Sequence, residues 1–322
     1  MSETNLDDNW ERDILRRLAF ASINEQRRTR RWRIFFMLLF FIYLFVTLLL
    51  FLEPDWLSSD EDGANKHTAL VEIQGVIAAD TQANADQIVT SLRSAFEDEK
   101  TAGVIIRINS PGGSPVQAGY INDEIRRLRE KYPNIPLYAV ATDMCTSGGY
   151  YIAAAADEIY ADKASIVGSI GVLMNSFGFV GAMEKFGVER RLLTAGEHKG
   201  FLDPFSPMKK EDLAHIQGVL KDVHDQFITL VKQGRERSLK EKGKLELLDN
   251  PDLFTGLLWT GEQAMELGLV DALGSSSYVA REVIKAEKIK DFTSKQNYLD
   301  RFAERLGATL VQQFQLNSGT IQ

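Results

Sequence analysis

From Ile34 to Leu52 the chain reads IFFMLLFFIYLFVTLLLFL, without one charged residue. A surface helix of a globular protein has one apolar stripe, whereas this run is apolar on every side. As a helix it extends roughly 28 Å at 1.5 Å per residue, enough to cross the hydrocarbon core of a bilayer. A buried core helix and a cleaved signal peptide are the rival readings. The run is long for a signal-peptide core, and no small-x-small cleavage site follows it. Arg27, Arg28, Arg30, Arg31 and Arg33 crowd its N-terminal side, while Glu53, Asp55, Asp60, Glu61 and Asp62 follow its C-terminal side. The arginine excess predicts a single-pass anchor in the cell (inner) membrane with a cytoplasmic N-terminus. The larger C-terminal part is then extracytoplasmic, that is, periplasmic. The expected organisation is a tail over 1–33, an anchor over 34–52 and an acidic linker over 53–66. A domain over 67–286 and a C-terminal helical extension over 287–322 follow.

The chain has 322 residues and a formal net charge of −8. No basic patch dominates beyond the N-terminus, which argues against nucleic acid as a partner. A single cysteine, Cys145, excludes an intrachain disulfide framework and a cysteine-rich zinc site. His67, His198, His215 and His224 fall into no metal-ligand spacing, so no metal site is expected.

From His67 onward, short β-like and α-like stretches alternate, the pattern of an α/β fold. Strands are expected at Leu70–Ile73, Val76–Ile77, Val104–Ile108, Leu137–Ala141 and Glu158–Ala161. Helices are expected at Ala85–Phe96, Val116–Tyr132 and Gly148–Ala156 from their apolar spacing. Lys209–Gln233 reads as the longest helix, with Ser206-Pro207 as its start signal. Gly261–Leu267 and Tyr278–Ala286 read as shorter helices. Trp10–Ile23 and Tyr298–Phe314 carry helical apolar spacing near the two termini.

Three glycine-bearing turns hold the candidate chemistry. Ser147, in Met144-Cys145-Thr146-Ser147-Gly148-Gly149-Tyr150, stands where a strand gives way to a helix. A serine there has helix N–H groups and the positive dipole end beside it. Such groups can stabilise an oxyanion. Taken alone, an N-capping serine is the plainer reading. The segment is not G-x-S-x-G, so an α/β-hydrolase elbow is not indicated. Asn109-Ser110-Pro111-Gly112-Gly113-Ser114-Pro115 offers backbone donors at a helix entrance, with the Gly113 N–H the candidate oxyanion donor and Gly112 adjacent. A phosphate loop is excluded because no Gly-Lys-Ser/Thr follows. Val167-Gly168-Ser169-Ile170-Gly171-Val172 reads either as a glycine-stabilised strand corner or as a turn whose Ser169 could orient a neighbouring base.

Two residues compete to be that base. His198 is the one histidine in a loop-like context, and a histidine triad would need an orienting carboxylate. Lys199 sits beside it in Ala195-Gly196-Glu197-His198-Lys199-Gly200-Phe201-Leu202-Asp203-Pro204-Phe205, among glycine, aromatic and proline residues. A lysine working as a base near neutral pH needs a pKa of about 7–8 instead of about 10.4, which demands exclusion of water.

The ordered run SPGG, TSGGYYIA, GSIGV, AGEHKGFLDPF and WTGEQAMELGLVDALG resembles the signal peptide peptidase A family of membrane-anchored serine proteases. The resemblance covers roughly His67 to Ala286 and matches the short form with one protease unit per chain. It implies a Ser–Lys dyad: Ser147 as nucleophile, Lys199 as general base, and Ser169 as a hydrogen-bonding partner of the lysine. The Gly113 and Ser147 backbone N–H groups would form the oxyanion hole. It also implies a crotonase/Clp-protease-like spiral of β-β-α units and protomers assembled into a homo-oligomeric ring. Hydrophobic peptides, leftover signal peptides among them, would be the substrates, and no cofactor is required. The pronounced tail before the anchor departs from the family pattern. Two further readings are a non-proteolytic membrane scaffold and a crotonase-type acyl-CoA enzyme. The intact Ser147, Lys199 and Ser169 speak against the first, and the extracytoplasmic placement against the second.

Overall fold

The computed structural model describes residues 26–48 and 66–294. The chain divides into two units, Met1–Ala64 and Asn65–Gln322. In the first, helix α1 spans Gln26–Leu48 and is long and apolar enough to cross a membrane. From Ile34 to Leu48 it carries no charge and is mostly Phe, Leu, Ile and Val, and a continuous helix satisfies their backbone polar groups internally. The expected helices at Trp10–Ile23 and Tyr298–Phe314, and the linker up to residue 65, lie outside the described residues.

The second unit is a mixed α/β structure built on an eight-stranded, mostly parallel sheet. Strand β1 (His67–Gln74) leads to helix α2 (Ala85–Glu97), and β2 (Thr101–Ser110) to α3 (Pro115–Lys131). Strand β3 (Leu137–Thr146) leads into the short α4 (Gly148–Ala153), followed by β4 (Glu158–Ala161) and β5 (Ile166–Gly168). After α5 (Val180–Lys185) comes α6 (Lys210–Glu241), then β6 (Leu258–Thr260) and α7 (Gly261–Glu266). Strand β7 (Ala272–Leu273), α8 (Ser276–Tyr278) with a π turn over Val279–Ile284, and β8 (Ile289–Asp291) complete the unit. The strand order is β6-β5-β3-β2-β1-β8. β8 pairs with β1, so the sheet takes in residues beyond Ala286.

Strand β2 explains why the sheet is buried on both faces. Val104, Ile106 and Ile108 point into the main core, while Ile105 joins a smaller cluster with Leu70, Val140, Tyr160, Val279 and Ala280 on the other face. A β-branched run without polar alternation suits a strand covered on both sides. Helices α2 and α3 seal the main core with Ile88, Leu92 and Phe96 and with Ile121, Ile125 and Leu128, one stripe each. Asn84 caps α2 through the Gln87 N–H, and Ser114, followed by Pro115, caps α3 through the Gln117 N–H.

Strand β3 changes partner midway. Tyr138–Ala141 pair with β4, whereas Met144–Thr146 pair with β5. The fork opens the sheet just before Ser147.

Helix α6 differs from its expected limits at both ends. It begins at Lys210 with Lys209 in the cap position, while Ser206 Oγ instead donates to Asp203 at 2.7 Å. It runs eight residues past Gln233, through Gly234, where a Cβ would fall 1.9 Å from the Ala154 carbonyl oxygen. The glycine therefore serves a close crossing over the end of α4 rather than a helix stop. Beyond it, the fully buried Arg235 binds Asp271 at 2.6 Å and the Gly268 carbonyl at 3.0 Å. Asp271 also accepts from the Ile159 N–H at 2.7 Å, from Lys242 at 2.7 Å and from Ser238. One carboxylate thus ties α6 to β4. Burial alone would raise its pKa, but the hydrogen bond and charge of Arg235, with Lys242 and Ser238, hold it far below the usual range.

Candidate active site

Ser147 follows β3 and precedes α4 with φ 51° and ψ −120°, a backbone conformation that costs free energy for any residue with a side chain. Its side chain caps nothing, which sets aside the N-capping reading. Its carbonyl accepts from the Tyr151 N–H at 2.9 Å, and its N–H donates to the Gly168 carbonyl at 2.8 Å. The strain is held by β5 on one side and by the helix on the other. A strained strand-to-helix turn carrying a serine resembles the backbone geometry of a nucleophile elbow, here without the G-x-S-x-G pattern.

Ser169 also has a left-handed backbone, with φ 53°. It is held by its N–H on the Leu257 carbonyl at 2.8 Å and by its carbonyl accepting from the Gly171 N–H at 2.9 Å. Ser147 and Ser169 line one cavity of about 520 Å³ together with Gly113, Gly148, Tyr151, Leu173, Val223 and Phe227. Two of the four described non-glycine residues with positive φ thus open onto one apolar cleft. A cavity of similar size, about 540 Å³, lies on the Val140 and Arg107 side of the sheet but contains neither of them.

The Pro-Gly-Gly turn closes the other side of Ser147. A Cβ on Gly112, whose φ is +100°, would lie 2.6 Å from Ser147 Cβ. Gly113 pairs with Ile77 through its neighbours: Ile77 N–H donates to the Gly112 carbonyl and Ser114 N–H to the Ile77 carbonyl. Its own N–H stays outside that pairing. A Cβ on Gly148 would lie 3.2 Å from the Gly113 nitrogen, so the two N–H groups share one neighbourhood. Among the described residues neither donates to an acceptor. One of the two expected donors is already engaged. The Ser147 N–H is used by Gly168, and the free donor is the first N–H of α4, that of Gly148.

Lys199 is not in this cleft. It is exposed and does not line the cavity, because Gly171–Lys209 packs sparsely on the rest of the chain. Among the described residues nothing covers it, so the expected desolvation is not seen there. Leu173, Phe177, Phe186 and Leu193 of the same segment stand 84%, 73%, 83% and 95% exposed. His198 Nδ1 lies 3.5 Å from Asp212 Oδ1, on α6. His224 of α6 is half-buried with Nε2 3.1 Å from the Ile170 carbonyl, next to Ser169. Cys145, two residues before Ser147, is buried, and burial pushes its thiol up to about 12, which leaves it inert as a nucleophile. Among the described residues no group of three or more His, Cys, Asp or Glu side chains is placed to hold a metal ion.

Residues 129–290 match the model of peptidase family S49. The chain belongs to peptidase family S49. This S49 peptidase is 31% identical over 243 residues to a putative signal peptide peptidase SppA of Enterococcus faecium, covering 73% of this chain and 67% of that one. It is 33% identical over 210 residues to a putative protease of Synechocystis, covering 65% and 70% respectively. It is also 44% identical over 217 residues to a Na(+)/H(+) antiporter NhaA of Brucella melitensis, a match that covers 67% of this chain but 28% of that protein. The S49 peptidase thus spans about a quarter of the antiporter-named relative, whose name speaks for a much longer chain. The family match and the protease-named relatives are the ground for reading the chain as a peptidase.

Proposed function

We propose that this S49 peptidase is a membrane-anchored serine endopeptidase that degrades cleaved signal peptides and other hydrophobic peptides at the membrane surface. The single observation that carries the reading is the strained Ser147 turn, opening onto an apolar cleft beside two free N–H groups. The cleft walls of Leu173, Val223 and Phe227 suit apolar side chains. In the proposed reaction neutral Lys199 takes the Ser147 proton and Oγ attacks a peptide carbonyl carbon. The Gly113 and Gly148 N–H groups hold the oxyanion. The protonated lysine returns its proton to the leaving amine, and a water molecule, activated by the same lysine, hydrolyses the acyl-enzyme. Ser169 orients the lysine.

This reading takes the base from a neighbouring copy in a homo-oligomeric ring. His198 is held at Asp212, whereas Val223 and Phe227 of the same helix reach the cleft about three turns, or roughly 16 Å, further along. That is farther than one lysine side chain reaches. The exposed apolar side chains of Gly171–Lys209 give the copies a surface to share. The crotonase/Clp-like spiral is the fold expected of each protomer, and the partner change along β3 agrees with it. α1 is the proposed anchor, with the arginine-rich side cytoplasmic and the protease periplasmic.

Purified full-length chain in detergent should cleave an apolar peptide, and Ser147→Ala and Lys199→Ala should each abolish cleavage. Substantial turnover in either variant contradicts the dyad. A reporter fused to the C-terminus that reads as cytoplasmic contradicts the orientation.

A further inference from the structure

Asp212 is buried, 8% exposed, in the first turn of α6, where the helix dipole favours a carboxylate. Its one side-chain ion pair among the described residues is with His198 Nδ1. One turn further on, on the same face, His215 meets the edge of Phe201, with ring centroids 5.8 Å apart and planes at 74°. His198, Phe201, Glu211, Asp212 and His215 enclose a small cavity of about 300 Å³. Two residues of the lysine-bearing segment are thus docked on two residues of α6, and Lys199 stands between them. The backbone there is folded into consecutive turns, Lys199 N–H to the Gly196 carbonyl at 3.1 Å and Phe201 N–H to the His198 carbonyl at 3.0 Å.

We propose that His198 is a positioning residue, which through its contact with Asp212 fixes the backbone of Lys199 on the first turn of α6 and so sets where the lysine amine is presented. The proposal rests on the reading of Lys199 as the base. The contact leaves the lysine side chain itself exposed, while its neighbours His198 and Phe201 meet Asp212 and His215 of α6. The far end of α6 is joined to the sheet by Arg235 and Asp271. A base misplaced by about 1 Å loses up to a hundredfold in rate without losing the substrate.

The test is steady-state cleavage of an apolar peptide by the full-length chain. His198→Ala should lower kcat roughly ten- to a hundredfold, with KM changed less than about twofold. His198→Asn, which keeps a donor near the Nδ1 position, should restore most of the rate. Asp212→Asn combined with His198→Ala should be no worse than His198→Ala alone, since both remove the same contact. Wild-type kcat in His198→Ala overturns the proposal. So does loss that His198→Asn does not relieve while Lys199→Ala stays active, because His198 would then be the base itself. Lys199→Ala with full activity and normal His198 variants removes the dyad reading and the proposal with it. Lys199→Ala dead beside a normal His198→Ala removes the proposal alone.

Discussion

Gly112 and Ser147 face each other so closely that one added methyl on the glycine would fall 2.6 Å from Ser147 Cβ and 3.0 Å from its Oγ. The Gly112 φ of +100° independently disfavours a side chain. Gly112→Ala should therefore push the serine from its position and lower kcat about a hundredfold. Labelling of Ser147 by a serine-reactive probe should fall in parallel. Unchanged labelling would mean that the turn yields without disturbing the hydroxyl.

The separation of Lys199 from the cleft gives a mixing experiment. Ser147→Ala and Lys199→Ala chains, each inactive alone, should regain activity when assembled together, because some interfaces then pair an intact serine with an intact lysine. No activity at any mixing ratio, with mixed assemblies demonstrated by tag pull-down, would place both residues in one chain.

The carboxylate of Asp271 joins Arg235, Ser238 and Lys242 of α6 to the Ile159 N–H of β4. Asp271→Asn leaves the Arg235 charge buried without its counter-charge. The cost expected is about 3–5 kcal/mol, read as a lower denaturation midpoint with an unchanged slope. A variant as stable as the parent would show that water reaches Arg235.

His67 opens β1, is 4% exposed and stacks on Phe292. Burial lowers its pKa from 6.5; Asp98 opposes this and Lys290, Lys100 and Lys288 add to it. The unfolded chain then binds the proton more readily than the folded one below pH 6.5. Stability should be full above that pH and fall as the pH drops through it, levelling off below the folded-state value. His67→Leu should flatten the melting temperature between pH 7 and 5.5. An unflattened curve would assign the acid sensitivity elsewhere.

Much of the sheet and its helices was legible in local chemistry. The β-branched run of β2 and the apolar stripes of α2 and α3 each carry their own period, and the Pro-Gly-Gly and Ser-Gly-Gly turns stand where strands meet helices. What was not legible depends on partners distant in sequence. The Ser147 N–H looked available because nothing local shows that β5 returns to take it at Gly168. The expected helix stopped at Gln233, and its continuation rests on the buried pairing of Arg235 with the distant Asp271. Lys199 looked sheltered by its apolar neighbours, yet Leu193 and Phe186 of the same segment stand largely exposed.

The fork in β3 has a consequence for how this chain can vary. Met144, Cys145 and Thr146 pair in succession with Ile166, Val167 and Gly168, so Ser147 and Ser169 are carried at the tips of two rungs of one ladder. Their spacing is set by main-chain geometry and is indifferent to most side chains around it. The forty or so residues that follow can lengthen, shorten or exchange neighbours while that spacing stays put.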